Sequence, residues 1–201
     1  TSKILKKSLN KLKIITCHLG NGCSITAIEN GKPIDTSMGF TPLEGLIMGT
    51  RSGSIDPYIP LFLMKNEKYS LEKVSDLLNE KSGLLGISCI SKDMRLLKNN
   101  PNKNAKLAID MFCYSISKYI GAYIGILNGV DTIVFSAGIG ENVPRIRKKI
   151  LDNFKFLGLK LDNQKNNKNS LIITKPNSKI KVLVIKTNEE IMIVKEALAL
   201  K

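Results

Sequence analysis

Apolar and polar side chains alternate through KIITCHLG (residues 13–20) and again through SITAIENGKPIDT (24–36), the period of strands with one covered face. Asn30-Gly31 supplies the left-handed turn of a tight hairpin between the halves of the second stretch. The period then lengthens. Tyr58 to Lys65 and Ser70 to Asn79 read as helices, the second with Ser70 as N-cap and Glu72 in its first turn. Asn102 to Leu127 carries apolar residues three and four apart over the longest stretch and predicts a helix with a buried face. DTIVFSAGIGEN (131–142) opens as a short β-branched run, too short for a helix, reaches a Gly-x-Gly turn, and leads into an amphipathic helix from Pro144 to Asn153. KIKVLVIKTNEE repeats the theme: a strand through Val184 or Ile185, Thr187 as a cap, and a terminal helix. Residues 162–170 predict a long polar loop. Strands, a hairpin and covering helices in one domain make the class α/β.

The passage DTSMGFTPLEGLIMGTRSGSIDP (35–57) fits neither period. Gly39, Gly45, Gly49 and Gly53 interrupt Met38, Phe40, Leu46, Ile47 and Met48, and Arg51 stands between Thr50 and Ser52. Loops of this length are usually polar, and cores this apolar seldom carry so many backbone breakers. Such a stretch is shaped to hold something.

The composition narrows what that can be. At 201 residues and 43% hydrophobic content the chain can bury a full core. It contains no apolar run long enough to span a bilayer and no apolar signal region, so a cytoplasmic protein is expected. Cys17, Cys23, Cys89 and Cys113 lie in apolar or glycine-rich surroundings without a C-x-x-C pair, which predicts reduced, buried thiols. A net charge of +14 raises nucleic acid or an anionic membrane as partners. Against both, only Arg51, Arg95, Arg145 and Arg147 among the 31 basic residues are arginine, the better reader of phosphates and bases. Lysine with abundant asparagine is instead what an AT-rich coding bias places on solvated surfaces. An arginine kept where lysine is the default needs its planar fork.

Three segments share one design. HLGNG (18–22), AGIGEN (137–142) and KTNEE (186–190) each place free N–H groups or small polar side chains at the end of a strand, where anions such as phosphate are accepted. Any one alone could be a geometric device only. The Walker pattern is absent, and G-I-G-E-N-V lacks the third glycine of the dinucleotide fingerprint. His18 is the only histidine, which leaves a serine triad with one member and no nucleophile elbow. It is either a structural residue or a phosphate donor opening its glycine turn.

HLGNG, NGKPIDTSMGFTPLEGLIMGTRSG, SKDMR, IVFSAGIGEN and TNEE together closely resemble the acetate kinase family, which transfers phosphate between ATP and acetate. The resemblance runs from about residue 10 to the end of the chain. It implies a ribonuclease H-like, actin-like ATPase domain with a mixed sheet flanked by helices. It further implies that residues 1–201 are the C-terminal domain of a two-domain enzyme, inactive alone. The N-terminal domain, with the family's catalytic aspartate, catalytic histidine and acetate-binding arginine, would be its partner, and a homodimer the assembly. Position by position, His18, Leu19, Gly20, Asn21 and Gly22 match the phosphate-contacting turn, and Asp93, Met94 and Arg95 the nucleotide-site stretch. Gly138, Ile139, Gly140, Glu141 and Asn142 match the turn near the adenosine. Pro42 matches a wall of the acetate methyl pocket, Arg51 the catalytic arginine on the transferring phosphoryl group, and Glu189 the residue associated with Mg2+.

Physical chemistry supports the arginine independently, since phosphoryl transfer rests on alignment and on neutralising the equatorial oxygens. The alternative is that Arg51 pairs with a carboxylate such as Asp35 or Glu44. Ser54, Cys23 and Lys186 depart from the family pattern at positions without an implied role, and Lys186 could loosen the approach to Glu189 where proline is usual. Propionate or another short carboxylate remains open as acceptor, as does a nucleotide-binding module without catalysis.

Overall fold

The computed structural model describes residues 1–187 and 197–198. In chain order they form α1 (Ser2–Leu5), β1 (Lys13–Leu19), β2 (Cys23–Glu29), β3 (Lys32–Thr36), α2 (Tyr58–Asn66), α3 (Leu71–Glu80), α4 (Gly83–Ser88) and α5 (Met94–Leu97). Then follow α6 (Lys103–Ile126), β4 (Thr132–Ser136), α7 (Ala137–Asn142), α8 (Pro144–Leu151), α9 (Asn163–Asn167) and β5 (Lys181–Val184). Among these residues one five-stranded mixed sheet runs in the order β3-β2-β1-β4-β5. β1, β2 and β3 form an antiparallel meander, with the β2–β3 turn at Asn30 (φ 53°) and Gly31 (φ 80°), while β4 and β5 add parallel to β1.

Period-2 alternation separates the two faces. Ile15, Cys17, Leu19, Ile25, Ile133, Phe135 and Val182 enter one large core with Phe112, Ile116 and Ile120 of α6 and Ile146 and Ile150 of α8. Ile14, Val134 and Leu183 point to the other face, where a thinner cluster forms with Leu12, Ile4 and Ile172. Phe112 and Phe135 have no exposure, and truncating either to alanine would cost about 3–5 kcal/mol through lost transfer energy plus a cavity. Asn102 caps α6 by accepting from the Asn104 N–H, and Ser70 caps α3 by accepting from the Lys73 N–H.

Three expectations change. AGIGEN is no open turn: α7 starts directly from β4, because Gly138 and Gly140 take helical backbone and the left-handed residue is Ala137 (φ 63°). The polar stretch 162–170 holds α9, capped by Asp162 accepting from the Lys165 N–H, since a short polar helix needs only a cap and one buried partner. Cys89 is exposed at the left-handed end of α4, whereas Cys17, Cys23 and Cys113 are buried, and all four are free. Glycine-rich surroundings therefore do not by themselves bury a thiol. The terminal helix expected after Thr187 lies outside the described residues.

Candidate functional site

Three parallel strands bring their C-terminal ends to one edge, with His18 level with Ser136 and Phe135 level with Val184. Open α/β sheets take ligands outside this edge. After β1 the chain turns through Gly20, Asn21 and Gly22, and the Gly20 N–H donates to the Gly22 carbonyl at 3.0 Å. That N–H is used within the turn rather than left open. His18 Nδ1 lies 3.4 Å from Ser136 Oγ and links the turn to β4, while Leu19 is fully buried beneath it.

At the end of β4, Ala137 sits in the left-handed region, which costs a side chain roughly 1–2 kcal/mol. Its N–H donates to Glu141 Oε1 at 2.9 Å, so the helix that follows holds its own kink. The same oxygen accepts from the Thr187 N–H at 2.9 Å and from Thr187 Oγ at 3.2 Å. One carboxylate thus ties the segment after β5 to the start of α7. Gly140 is buried against the sheet, and Gly22 faces open space.

A cleft of about 670 Å3 opens here, lined by Gly20, Asn21, Gly138, Ile139 and Asn142 and by Asp93, Met94 and Arg95. Its volume is in the range of small-molecule sites. Lys92, Lys98 and Val143 line it as well; Lys92 lies within the SKDMR stretch and Val143 directly follows AGIGEN, while no sequence pattern pointed to Lys98. Asp93 is the one acid in that lining, and it is engaged: Arg95 Nη2 reaches Asp93 Oδ2 at 2.6 Å, and the Arg95 N–H donates to Asp93 Oδ1 at 2.8 Å as the cap of α5. Those bonds, the side-chain one foremost, hold the Asp93 carboxyl below its ordinary value. The cleft therefore presents Lys92, Lys98 and Arg95 to an anionic guest.

The 35–57 passage borders this cleft. At Gly49 a Cβ would lie 3.0 Å from Asn21 Oδ1 and 3.3 Å from the Lys92 carbonyl, so a side chain there would crowd the two neighbouring loops. Its backbone is fastened to α3 and α4: Ser52 N–H to the Leu78 carbonyl, Ser82 N–H to Thr50, Leu84 N–H to Met48 and Leu85 N–H to Gly49, each at 2.9 Å. Leu46 and Met48 are buried, so the apolar residues anchor the loop in the core.

Arg51 Nη1 contacts Met48 Sδ at 3.7 Å, and among the described residues no carboxylate lies within ion-pair distance of it. Asp35 instead accepts from Tyr123 Oη at 3.3 Å, and Glu44 lies against Gly39. Pairing with Asp35 or Glu44 is thus not what the fold makes of this arginine. Pro42 is exposed beside Phe40 on the outer limb of the passage and does not line the cleft. Glu189 lies outside the described residues, among which no three His, Cys, Asp or Glu side chains cluster as a ready metal site. A second groove, about 500 Å3, runs between Ile47 and the Met111, Tyr114 and Tyr119 face of α6; it is mostly apolar, with Asp110 and Lys118 also in its lining, and holds none of the expected residues.

Arg147, behind α7, is the residue that sequence reasoning passed over, although the scarcity of arginine that singled out Arg51 applies equally to it.

The sequence profile of the Acetokinase family matches residues 1–195. The chain is 56% identical to an acetate kinase of Carboxydothermus hydrogenoformans over 203 aligned residues, covering 99% of this chain and 51% of that protein. Against an acetate kinase of Clostridium beijerinckii it is 51% identical, covering 99% and 52%. Its structure is similar to the crystal structure of Porphyromonas gingivalis acetate kinase (TM-score 0.95, 44% identity, 100% of this chain and 52% of that one). It is also similar to a propionate kinase from Francisella tularensis (TM-score 0.90, 46% identity, 97% and 50%). The chain spans about half the length of the curated relatives it matches.

Proposed function

The chain belongs to the acetokinase family, and on that premise we propose that it is the C-terminal, nucleotide-binding half of an acetate kinase, acting in reversible phosphoryl transfer between ATP and acetate. The supporting observation is the convergence of two strand-end segments, 18–22 and 137–142, and the Asp93–Arg95 turn on one cationic cleft, with the Arg51 loop packed against its Asn21 side.

In this reading the adenosine lies along Gly138–Asn142 and Asp93–Arg95, and the phosphates run toward the Gly20–Gly22 turn and His18. Arg51, carrying a fork that no described carboxylate occupies, turns its donors to the transferring phosphoryl group and the acceptor oxygen. Its rigid backbone anchoring means the group is positioned before the ligand arrives, which is where phosphoryl transfer gains most. Lys92 and Lys98 add charge to the phosphate side. Mg2+ usually takes one or two carboxylates and completes its shell with nucleotide phosphates and water, so it does not need the acidic cluster that is absent among the described residues. Glu189 is the residue we propose to hold it, and when bound it neutralises charge on the ATP phosphates. Pro42 belongs to the methyl slot, a wall that needs the N-terminal domain opposite it.

The proposal includes a cytoplasmic location, the N-terminal domain as partner, and a homodimer. α2 supports an assembly, because none of its residues is buried and Tyr58, Ile59, Leu61 and Phe62 are exposed. Among the described residues no helix is long and apolar enough to cross a membrane. Propionate stays as a second acceptor on the strength of the propionate kinase neighbour, and one methylene separates the two substrates by only about 1–3 kcal/mol.

The test combines the purified chain with the N-terminal domain of its own enzyme, in cis or as a separate chain, and traps acyl phosphate as the hydroxamate with acetate or propionate supplied. Product from the combination and none from either part supports the reading. Full turnover by the 201-residue chain alone would show the division of catalytic residues to be wrong.

A further inference from the structure

Arg147 is the largest side chain with no exposure at all among the described residues. A buried guanidinium ordinarily sits against a carboxylate, since an unpaired interior charge is costly. Here every N–H donor ends on an uncharged acceptor. Nε donates to Asn166 Oδ1 at 2.9 Å, Nη1 to the carbonyls of Gly140 and Glu141 at 2.8 and 2.9 Å, and Nη2 to the Asn166 carbonyl and Asn169 Oδ1, both at 2.7 Å. No carboxylate among the described residues lies within ion-pair distance. Burial lowers its pKa to about 10, which still leaves it charged at neutral pH.

The surroundings are built for this side chain. Asn166 is 1% exposed and donates its own Nδ2 to the Pro144 carbonyl at 3.0 Å, while Asn169 takes a left-handed backbone (φ 51°) at the end of α9. That explains why a polar stretch folds as a helix against the body of the protein. On the other side, Gly140 and Glu141 supply carbonyls from the last turn of α7, groups that have no partner within a helix so short. Gly138, Ile139 and Asn142 of the same helix line the cleft. At 1.5 Å of rise per residue α7 is about 9 Å long, so the charge lies within about 10 Å of the cleft wall. A carboxylate in place of Asn169 would accept the same hydrogen bond and cancel the charge. A lysine in place of Arg147 would keep the charge and lose the five-donor fork.

We infer that Arg147 is a positioning residue for the nucleotide cleft: it fixes the α7 wall and, held only by neutral acceptors, keeps a positive charge beneath that wall which favours a nucleoside di- or triphosphate. The inference rests on the proposed function for its ligand and on geometry alone for the positioning.

Amide hydrogen exchange and titration with ADP and with inorganic tripolyphosphate separate the two parts, using the unaltered chain, Arg147→Lys and Asn169→Asp. In Arg147→Lys the amides of 137–142 should exchange faster while those of β1 and α6 stay unchanged, and ADP should bind about tenfold more weakly. Asn169→Asp should leave exchange at 137–142 as it was and still weaken both ligands by about fivefold, through the cancelled charge. Unchanged exchange at 137–142 in Arg147→Lys overturns the positioning role, and unchanged affinity in Asn169→Asp overturns the charge role. If Arg147→Lys fails to fold, Asn169→Ala, which removes one acceptor and keeps the guanidinium, carries the exchange measurement. An unaltered chain that binds neither ADP nor tripolyphosphate refutes the cleft reading together with the charge argument, and the exchange result still decides the positioning.

Discussion

Arg51 and Arg147 are the same side chain in opposite surroundings. Arg147 has no exposure and spends all its donors on the protein, whereas Arg51 is half-buried and makes one long contact, to a thioether. Their backbones differ in the reverse sense. Arg51 stands in irregular chain that glycines and cross-links to α3 and α4 hold in place, and Arg147 stands in the regular helix α8. A residue whose donors are all used can organise a site, but it cannot act in one. A guanidinium held still by its backbone, with its fork unclaimed by the described carboxylates, has donors left for a ligand.

The contrast makes opposite demands on the two positions. Arg147→Met should produce the largest loss of stability, about 4 kcal/mol by urea unfolding, because buried carbonyl and amide acceptors lose their partners together. A loss below about 1 kcal/mol would mean that water or a neighbour replaces the guanidinium easily, and the two arginines would no longer differ in kind. Arg51→Lys in the assembled enzyme should leave unfolding unchanged to within about 0.5 kcal/mol and lower kcat by roughly 100-fold, with a smaller change in KM for ATP. Near-normal kcat would reduce Arg51 to a loop-packing residue.

The smallest effect extends the comparison to the cysteines. Cys89 should react with a thiol reagent at the rate of an exposed cysteine, while Cys17, Cys23 and Cys113 stay unlabelled until the protein unfolds. Burial disfavours the thiolate and pushes Cys23 and Cys113 up to about 12, so their labelling should not accelerate between pH 7 and pH 9. Rapid labelling of Cys23, which donates to the Gly20 carbonyl at 3.4 Å, would show that the turn after β1 opens readily.

Much of this was present in local pattern. Alternation over KIITCHLG and SITAIENGKPIDT, the short β-branched run that opens DTIVFSAGIGEN, the 3-and-4 spacing of 102–127 and the Asn30-Gly31 turn define β1 to β4 and α6 almost to the residue, because each depends on near neighbours and on which side of an element is covered. The strand-end positions of HLGNG and AGIGEN were legible for the same reason. What local pattern could not supply is adjacency. That β1, β4 and β5 lie side by side, bringing turns more than a hundred residues apart onto one cleft, follows from parallel pairing, which has no sequence period of its own. The helical form of α7 and α9 was likewise settled by tertiary partners: Glu141 answering Ala137 and Thr187, and Arg147 answering five carbonyl and amide oxygens from two segments. Composition marked four arginines as unusual, but whether an arginine serves the interior or the ligand depends on where its donors end, and only the folded chain brings those acceptors within 3 Å.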